Sequence, residues 1–149
     1  MARILIAEDD RDLCWIWSET LADAGHEVVA AYDGRTAADV LATEPFDVLI
    51  SDVVMPGDGA IVLSAIAREL RPAMRIVVVT GSLALRDRPI EEAVDGADRT
   101  MRKPIDLDDL VAVVEGRATS PGDAAAASRP SGPRTGPRKN HATSTIFWF

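Results

Sequence analysis

The sequence predicts a three-layer α/β sandwich on a five-stranded parallel sheet, and three observations carry that prediction. Short runs in which every residue is apolar recur along the chain, each too short for a helix and covered on both faces, as buried parallel strands are. Between them lie segments whose apolar residues fall three and four apart, the spacing of helices with one buried face. Three of the apolar runs also lead into polar residues of a particular kind, Glu8 and Asp9, Asp52, and Thr80, and a shorter, more polar strand ends on Lys103. One edge of the predicted sheet therefore collects the side chains that could do chemistry.

The stretch around which the others are arranged is FDVLISDVVMP, residues 46–56. Val48, Leu49 and Ile50 run into Asp52, and Pro56, which has no N–H for a ladder, turns the chain. Asp52 is thus expected at the carboxyl end of a central strand, where open α/β sheets place their ligand sites.

In chain order, residues 4–7 give the first strand, ending in Glu8, Asp9 and Asp10. A helix comes next with Leu13, Ile16, Trp17, Thr20, Leu21 and Ala24 toward the core, and Gly25 ends it. Residues 28–32 give strand two, and Asp33 caps a helix through Ala37, Ala38, Leu41 and Ala42 that Pro45 closes. After the central strand, Gly57-Asp58-Gly59 turns into a third helix expected to bury Ile61, Val62, Ala65, Ile66 and Leu70 before Pro72. Residues 76–79 form strand four, which ends in Thr80-Gly81-Ser82. The segment to Asp95 is the least defined, because Pro89 confines any helix to the residues after it. Residues 96–102 form a short, polar edge strand ending at Lys103-Pro104. Asp106 with Asp109 resembles a cap for a last helix that buries Leu107, Leu110, Val111 and Val114. Strand and helix alternate five times, and right-handed connections make the flavodoxin-like strand order 2-1-3-4-5 the simplest topology. Strands one and three are then neighbours, so their terminal acids meet.

Composition divides the chain into a body, residues 1–116, and a tail, residues 117–149. The body carries 23 acidic and 11 basic residues, net −12, and the tail 1 acidic and 5 basic, net +4. An acidic body argues against direct nucleic-acid binding, which rewards clustered Lys and Arg. Ala, Ser, Pro and Gly supply 17 of the 33 tail residues, a linker composition expected to be flexible. Its tip, Ile146-Phe147-Trp148-Phe149, is nevertheless apolar, and three roles stay open for it: a docking motif, a segment folding back on the body, or none. No run approaches the roughly 20 apolar residues of a spanning helix. The apolar run at the N-terminus is too short for a signal peptide, and Cys14 is the single cysteine, so a soluble cytoplasmic protein without membrane partners is expected.

Glu8, Asp9 and Asp52 would bring three carboxylates into one pocket. Such a group repels itself unless it is protonated or binds a hard divalent cation. Magnesium suits it, because Mg2+ takes one or two carboxylates and leaves places for waters and phosphate oxygens. With Lys103 arriving from strand five and Thr80 from strand four, the set is what phosphoryl transfer needs, since that chemistry is mostly positioning and charge neutralisation. Asp52 is the expected nucleophile, forming an aspartyl phosphate whose oxygens Lys103 and Thr80 bind.

Taken in order, the motifs IAEDD, DVLISDVVMP, VVVTG and MRKP resemble the receiver domains of two-component response regulators, over about residues 2–116. The resemblance implies that Asp52 is the phosphoacceptor, that Glu8, Asp9, Asp52 and the carbonyl of Val54 hold Mg2+, and that Thr80 and Lys103 are the switch hydroxyl and the lysine. It implies a phosphoacceptor switch rather than an enzyme, with Mg-dependent self-phosphorylation and self-dephosphorylation. The 33 tail residues, whose composition makes no winged-helix or helix-turn-helix output domain, lead to the expectation of a single-domain switch. Its donor is a sensor histidine kinase or a histidine phosphotransfer protein. It signals by binding a downstream protein or by onward phosphotransfer, as a monomer or a phosphorylation-dependent dimer. Two departures stand out. Thr100 occupies the position three before the lysine, where the family usually has Tyr or Phe, and the loop MPGDG looks one residue shorter than the commoner form. The first keeps a second reading open, a degenerate receiver that binds its partner without phosphorylation.

Plainer roles stand beside these. Glu8 and Asp9 could be helix-entry acids, as Asp10 and Asp12 are expected to be, and Lys103 a solvated strand end. His26 and His141 are isolated, which argues against metal ligation, and Cys14 is expected to be structural or incidental. Trp15 and Trp17, two apart, cannot share a helix face. Trp17 is expected in the core and Trp15 partly exposed, where it either docks the histidine donor or is a tolerated surface aromatic. A dehalogenase-type phosphatase is disfavoured because Val54 stands where its second acid should be. A flavin carrier is disfavoured because the first loop is acidic rather than a phosphate cradle.

Overall fold

The all-apolar runs form strands because each can bury both faces between helices, and they do so in one sheet. The computed structural model describes residues 1–81, 94, 96–117 and 146–149. Its elements are β1 (Arg3–Ala7), α1 (Arg11–Asp23), β2 (Glu27–Ala31), α2 (Gly34–Thr43), β3 (Val48–Asp52), α3 (Ala60–Leu70), β4 (Arg75–Thr80), β5 (Arg99–Arg102), α4 (Leu107–Val114) and β6 (Ile146–Trp148). The strands pair in parallel in the order β5-β4-β3-β1-β2-β6. The predicted order 2-1-3-4-5 is present, with strands one and three adjacent. Among the described residues the sheet has six strands rather than five, because the apolar tip pairs with the edge of β2. The predicted segment between β4 and β5, with Ser82, lies outside the described residues, as does His141.

Alternation divides the core into two layers. Leu5, Ala7, Val29, Ala31, Leu49, Ile76 and Val78 face α2 and α3, while Ile4, Ile6, Val28, Ala30, Val48, Ile50, Val77 and Val79 face α1 and α4. Trp17 is buried against the second layer and Trp15 is 55% exposed, in line with their spacing. Asp10, Asp33 and Asp106 cap α1, α2 and α4 by accepting backbone N–H bonds. Helix α1 also buries Cys14, and leaves Ile16, expected toward the core, 38% exposed.

Helix α3 corrects the predicted facing. Its buried residues are Ala60, Leu63, Ser64 and Ala67, whereas Ile61, Val62 and Leu70 are exposed. The helix is apolar nearly all round, so periodicity could not choose a face. Packing against α2 and the sheet chooses the narrow side rich in small residues. In α4, Val113 is buried and Leu107 is half out, a smaller rotation of the same kind.

Candidate functional site

The period of two along each strand sets the site. Ile6 and Ile50 face α1, so Glu8 and Asp52, two residues further on, project from the same side of the sheet at its carboxyl edge. Met101 packs against that layer too, and Lys103 lies two residues beyond it. Three different strands therefore deliver Glu8, Asp52 and Lys103 to one point.

Lys103 bridges the two acids. Its Nζ donates to Asp52 Oδ2 at 2.8 Å and stands 2.8 Å from Glu8 Oε2. The second Asp52 oxygen, Oδ1, accepts the Val54 N–H at 3.0 Å, so the loop after β3 orients the carboxylate. Glu8 has no exposed surface and Asp52 is 6% exposed. Glu8 Oε1 accepts the Asp10 N–H at 3.1 Å, while Oε2, although in ionic contact with Lys103, receives no directed hydrogen bond. Burial is the largest influence on Glu8 and pushes its carboxyl up to about 7; Lys103 and the Asp10 N–H pull it down, and Asp52 pushes it up again. Burial works against the Lys103 ammonium, but the two carboxylates outweigh it and raise its pKa.

The loop that carries Val54 is held from both sides. Val53 N–H donates to the Val79 carbonyl at 2.9 Å and Gly34 N–H to the Pro56 carbonyl at 2.9 Å. Gly57 takes a φ of +80°, which favours glycine. A side chain at Gly34 would run into the backbone of Asp58, so the first residue of α2 is bare where the loop crosses it.

Thr80 is buried at the end of β4, and its carbonyl accepts the Lys103 N–H at 2.9 Å. Thr100 is half-buried on β5 opposite Val78. Asp9 is exposed at the mouth, and one oxygen from each of Glu8, Asp9 and Asp52 can lie within 4.8 Å of the others. These are hard oxygen donors, three acids against one ammonium, with one buried oxygen lacking a directed donor, and that set fits a hard divalent cation.

Two features were not legible beforehand. The Trp17 ring lies under the lysine, with Nζ 5.7 Å from its centre, so a residue expected only in the core also supports the cation. Nothing short-range links positions 17 and 103. Cys14 is also near, and burial followed by the Glu8 charge pushes its thiol up to about 12. His26 is structural: Nδ1 accepts the Ala2 N–H at 3.0 Å and Nε2 meets Glu115 at 3.2 Å.

Comparison with known proteins agrees with this geometry. The family model of the response regulator receiver domain matches residues 4–115. The response regulator receiver protein CpdR of Brucella abortus is 37% identical over 115 residues, 77% of this chain and 95% of CpdR. The response regulator protein FleR of Pseudomonas aeruginosa is 40% identical over 114 residues, 74% of this chain but only 24% of FleR. The chain thus spans nearly all of one curated relative and about a quarter of the other. Among solved structures, the chemotaxis response regulator CheY4 of Vibrio cholerae superimposes with a TM-score of 0.69 at 30% identity, over 79% of this chain and 99% of that one. With its motifs at the ends of β1, β3, β4 and β5, the chain belongs to the response regulator receiver domain family.

Proposed function

We propose that this chain is a stand-alone receiver in which Asp52 accepts a phosphoryl group from a phosphohistidine on a sensor kinase or phosphotransfer protein. Residues 1–116 are the accepting unit, and signalling proceeds by binding a downstream protein or by passing the group on. The observation that carries this is the buried Asp52 carboxylate at the end of β3, with Lys103 Nζ at 2.8 Å and Glu8 beside it.

In the proposed step an Asp52 oxygen attacks phosphorus and an O–P bond forms as the N–P bond breaks. The electron pair leaves on the imidazole nitrogen. Glu8, Asp9, Asp52 and the Val54 carbonyl would hold Mg2+, which would supply neutralisation of the phosphoryl charge when bound. Lys103 partners Asp52 beforehand and turns to the phosphoryl oxygens afterwards, with the Thr80 hydroxyl donating to another. Val54 N–H and the Trp17 ring keep the carboxylate and the ammonium in place. The added charge then biases the surface around Thr80 and β5 between two arrangements.

The second reading, a degenerate receiver that binds without phosphate, is favoured by Thr100, which supplies no ring on β5 to follow the threonine. Trp fluorescence separates the two, because Trp17 lies against Lys103. Titration with Mg2+ and then beryllofluoride should give a saturable change in wild type and none in Asp52→Asn. Silence in both proteins, with acetyl phosphate also failing to phosphorylate wild type, would favour the degenerate receiver.

A further inference from the structure

Strand β6 runs parallel to β2, with Ile146 opposite Val28, Phe147 opposite Val29 and Trp148 opposite Ala30. The Phe149 N–H extends the ladder by donating to the Ala30 carbonyl at 3.0 Å. Without it β2 would be an edge, a row of backbone groups ready to pair with any extended segment. The side chains add selection. Ile146 packs against the layer under α1. Trp148 stacks on Tyr32 with centroids 6.1 Å apart and planes at 15°, and the Arg11 guanidinium lies 4.1 Å from the centre of the same Tyr32 ring. The β2 edge therefore offers a backbone template, an apolar seat and an aromatic clamp.

The occupant is lightly held. Strand β6 has three residues, below the usual five or six, and Phe147, Trp148 and Phe149 stay 40–54% exposed. A covalent connection compensates for that. Residues 118–145 join the tip to the body, and such a connection makes pairing intramolecular, at an effective concentration of order millimolar. The same segment on a separate molecule lacks this advantage.

We propose that the β2 edge is a peptide-binding site for extended segments of the pattern Ile-Phe-Trp-Phe, and that this chain's own residues 146–149 are its exchangeable resident, seated in cis. The mode is strand addition: the backbone ladder supplies adhesion, and the Tyr32 clamp supplies the preference for an indole. Nothing in it uses Asp52, so it stands or falls separately from the phosphoacceptor proposal.

The test uses the full chain and a labelled peptide of residues 144–149, monitored by fluorescence anisotropy. In the double variant Trp148→Ala with Phe149→Pro, the stack and the N–H that Ala30 accepts are gone. The peptide should bind that variant about tenfold or more tightly than wild type, whose site is occupied. Amide exchange at Val28–Ala31 should quicken in the variant and slow again when peptide is added. Adding Tyr32→Ala should abolish binding. Failure of the peptide to bind a folded double variant at millimolar concentration overturns the proposal, as does equal affinity for wild type. A wild-type dimer that the double variant cannot form would seat the tip on a second copy and overturn the cis arrangement. Because the altered side chains are exposed, the variant should fold, and Trp148→Ala alone gives a milder version of the same experiment.

Discussion

Replacing Glu8 by glutamine should stabilise the metal-free protein at pH 8 and do much less at pH 5. Glu8 has no exposed surface, and Oε1 accepts a hydrogen bond that a glutamine oxygen can still accept. Burial raises its carboxyl from 4.5 to about 7. A carboxyl raised on folding costs nothing below its unfolded pKa, costs progressively more between the two values, and costs a constant amount above the folded one. At about 1.4 kcal/mol per pH unit, the interval from 4.5 to about 7 sets a ceiling of about 3 kcal/mol at pH 8. At pH 5 the cost shrinks to under about 1 kcal/mol. Glutamine gives up the ionic contact with Lys103 and turns an NH2 donor toward that ammonium, but Lys103 keeps Asp52 at 2.8 Å, so a net gain of about 1 kcal/mol, well under the ceiling, is expected at pH 8. Urea unfolding in EDTA, monitored by Trp fluorescence at both pH values, reads this as a midpoint shift at constant slope. Saturating Mg2+ should reverse the order at pH 8, raising wild type and not the variant. A variant less stable than wild type at pH 8, or equally stabilised at both pH values, would refute the reasoning.

Further predictions test the surroundings. Lys103→Met leaves buried Asp52 and Glu8 without a cation and should cost about 3 kcal/mol at pH 8 in EDTA. Adding Glu8→Gln should recover much of that loss, and additive effects would contradict the shared contact. Cys14, buried with its thiol pushed up to about 12, should react with iodoacetamide at pH 8 at least about 100-fold more slowly in the native than in the unfolded chain. A rate like that of a free thiol would contradict the packing of α1. Asp33→Ala removes the acceptor of the Thr36 N–H at 2.8 Å and hydroxyl at 3.0 Å, and should cost about 1 kcal/mol. The Thr36 backbone bond is the main cause of the lowered Asp33 pKa. Its contribution should therefore be present at neutral pH and be lost as pH falls through that lowered value; an unchanged unfolding midpoint at pH 7 would count against it.

The strands were legible because burial on both faces forces every residue of a short run to be apolar. Three strand ends were legible for the same reason, since Glu8, Asp52 and Thr80 follow those runs, while Lys103 was legible from the Lys-Pro pair that ends the polar edge strand. Helix α3 was not legible in its facing, because an apolar set covering most of its circumference is compatible with more than one buried side. The sixth strand was open for a different reason. Three residues carry little pattern, and what holds them is the edge of β2, an element far away in sequence. The Trp17 support of Lys103 and the Arg11 and Tyr32 setting of Trp148 are likewise tertiary: each joins residues that only the closed sheet brings together.

The most direct test of the central claim is where a phosphoryl group goes. Wild type and Asp52→Asn would be incubated with acetyl phosphate, with Mg2+ or with EDTA, and analysed by intact mass and by peptide mapping. One phosphoryl adduct on the peptide containing Asp52, formed in wild type with Mg2+ and absent in EDTA and in the variant, is the expected result. An adduct of equal yield on Asp52→Asn, or none on wild type while Mg2+ demonstrably binds, would contradict the assignment of Asp52 as the acceptor.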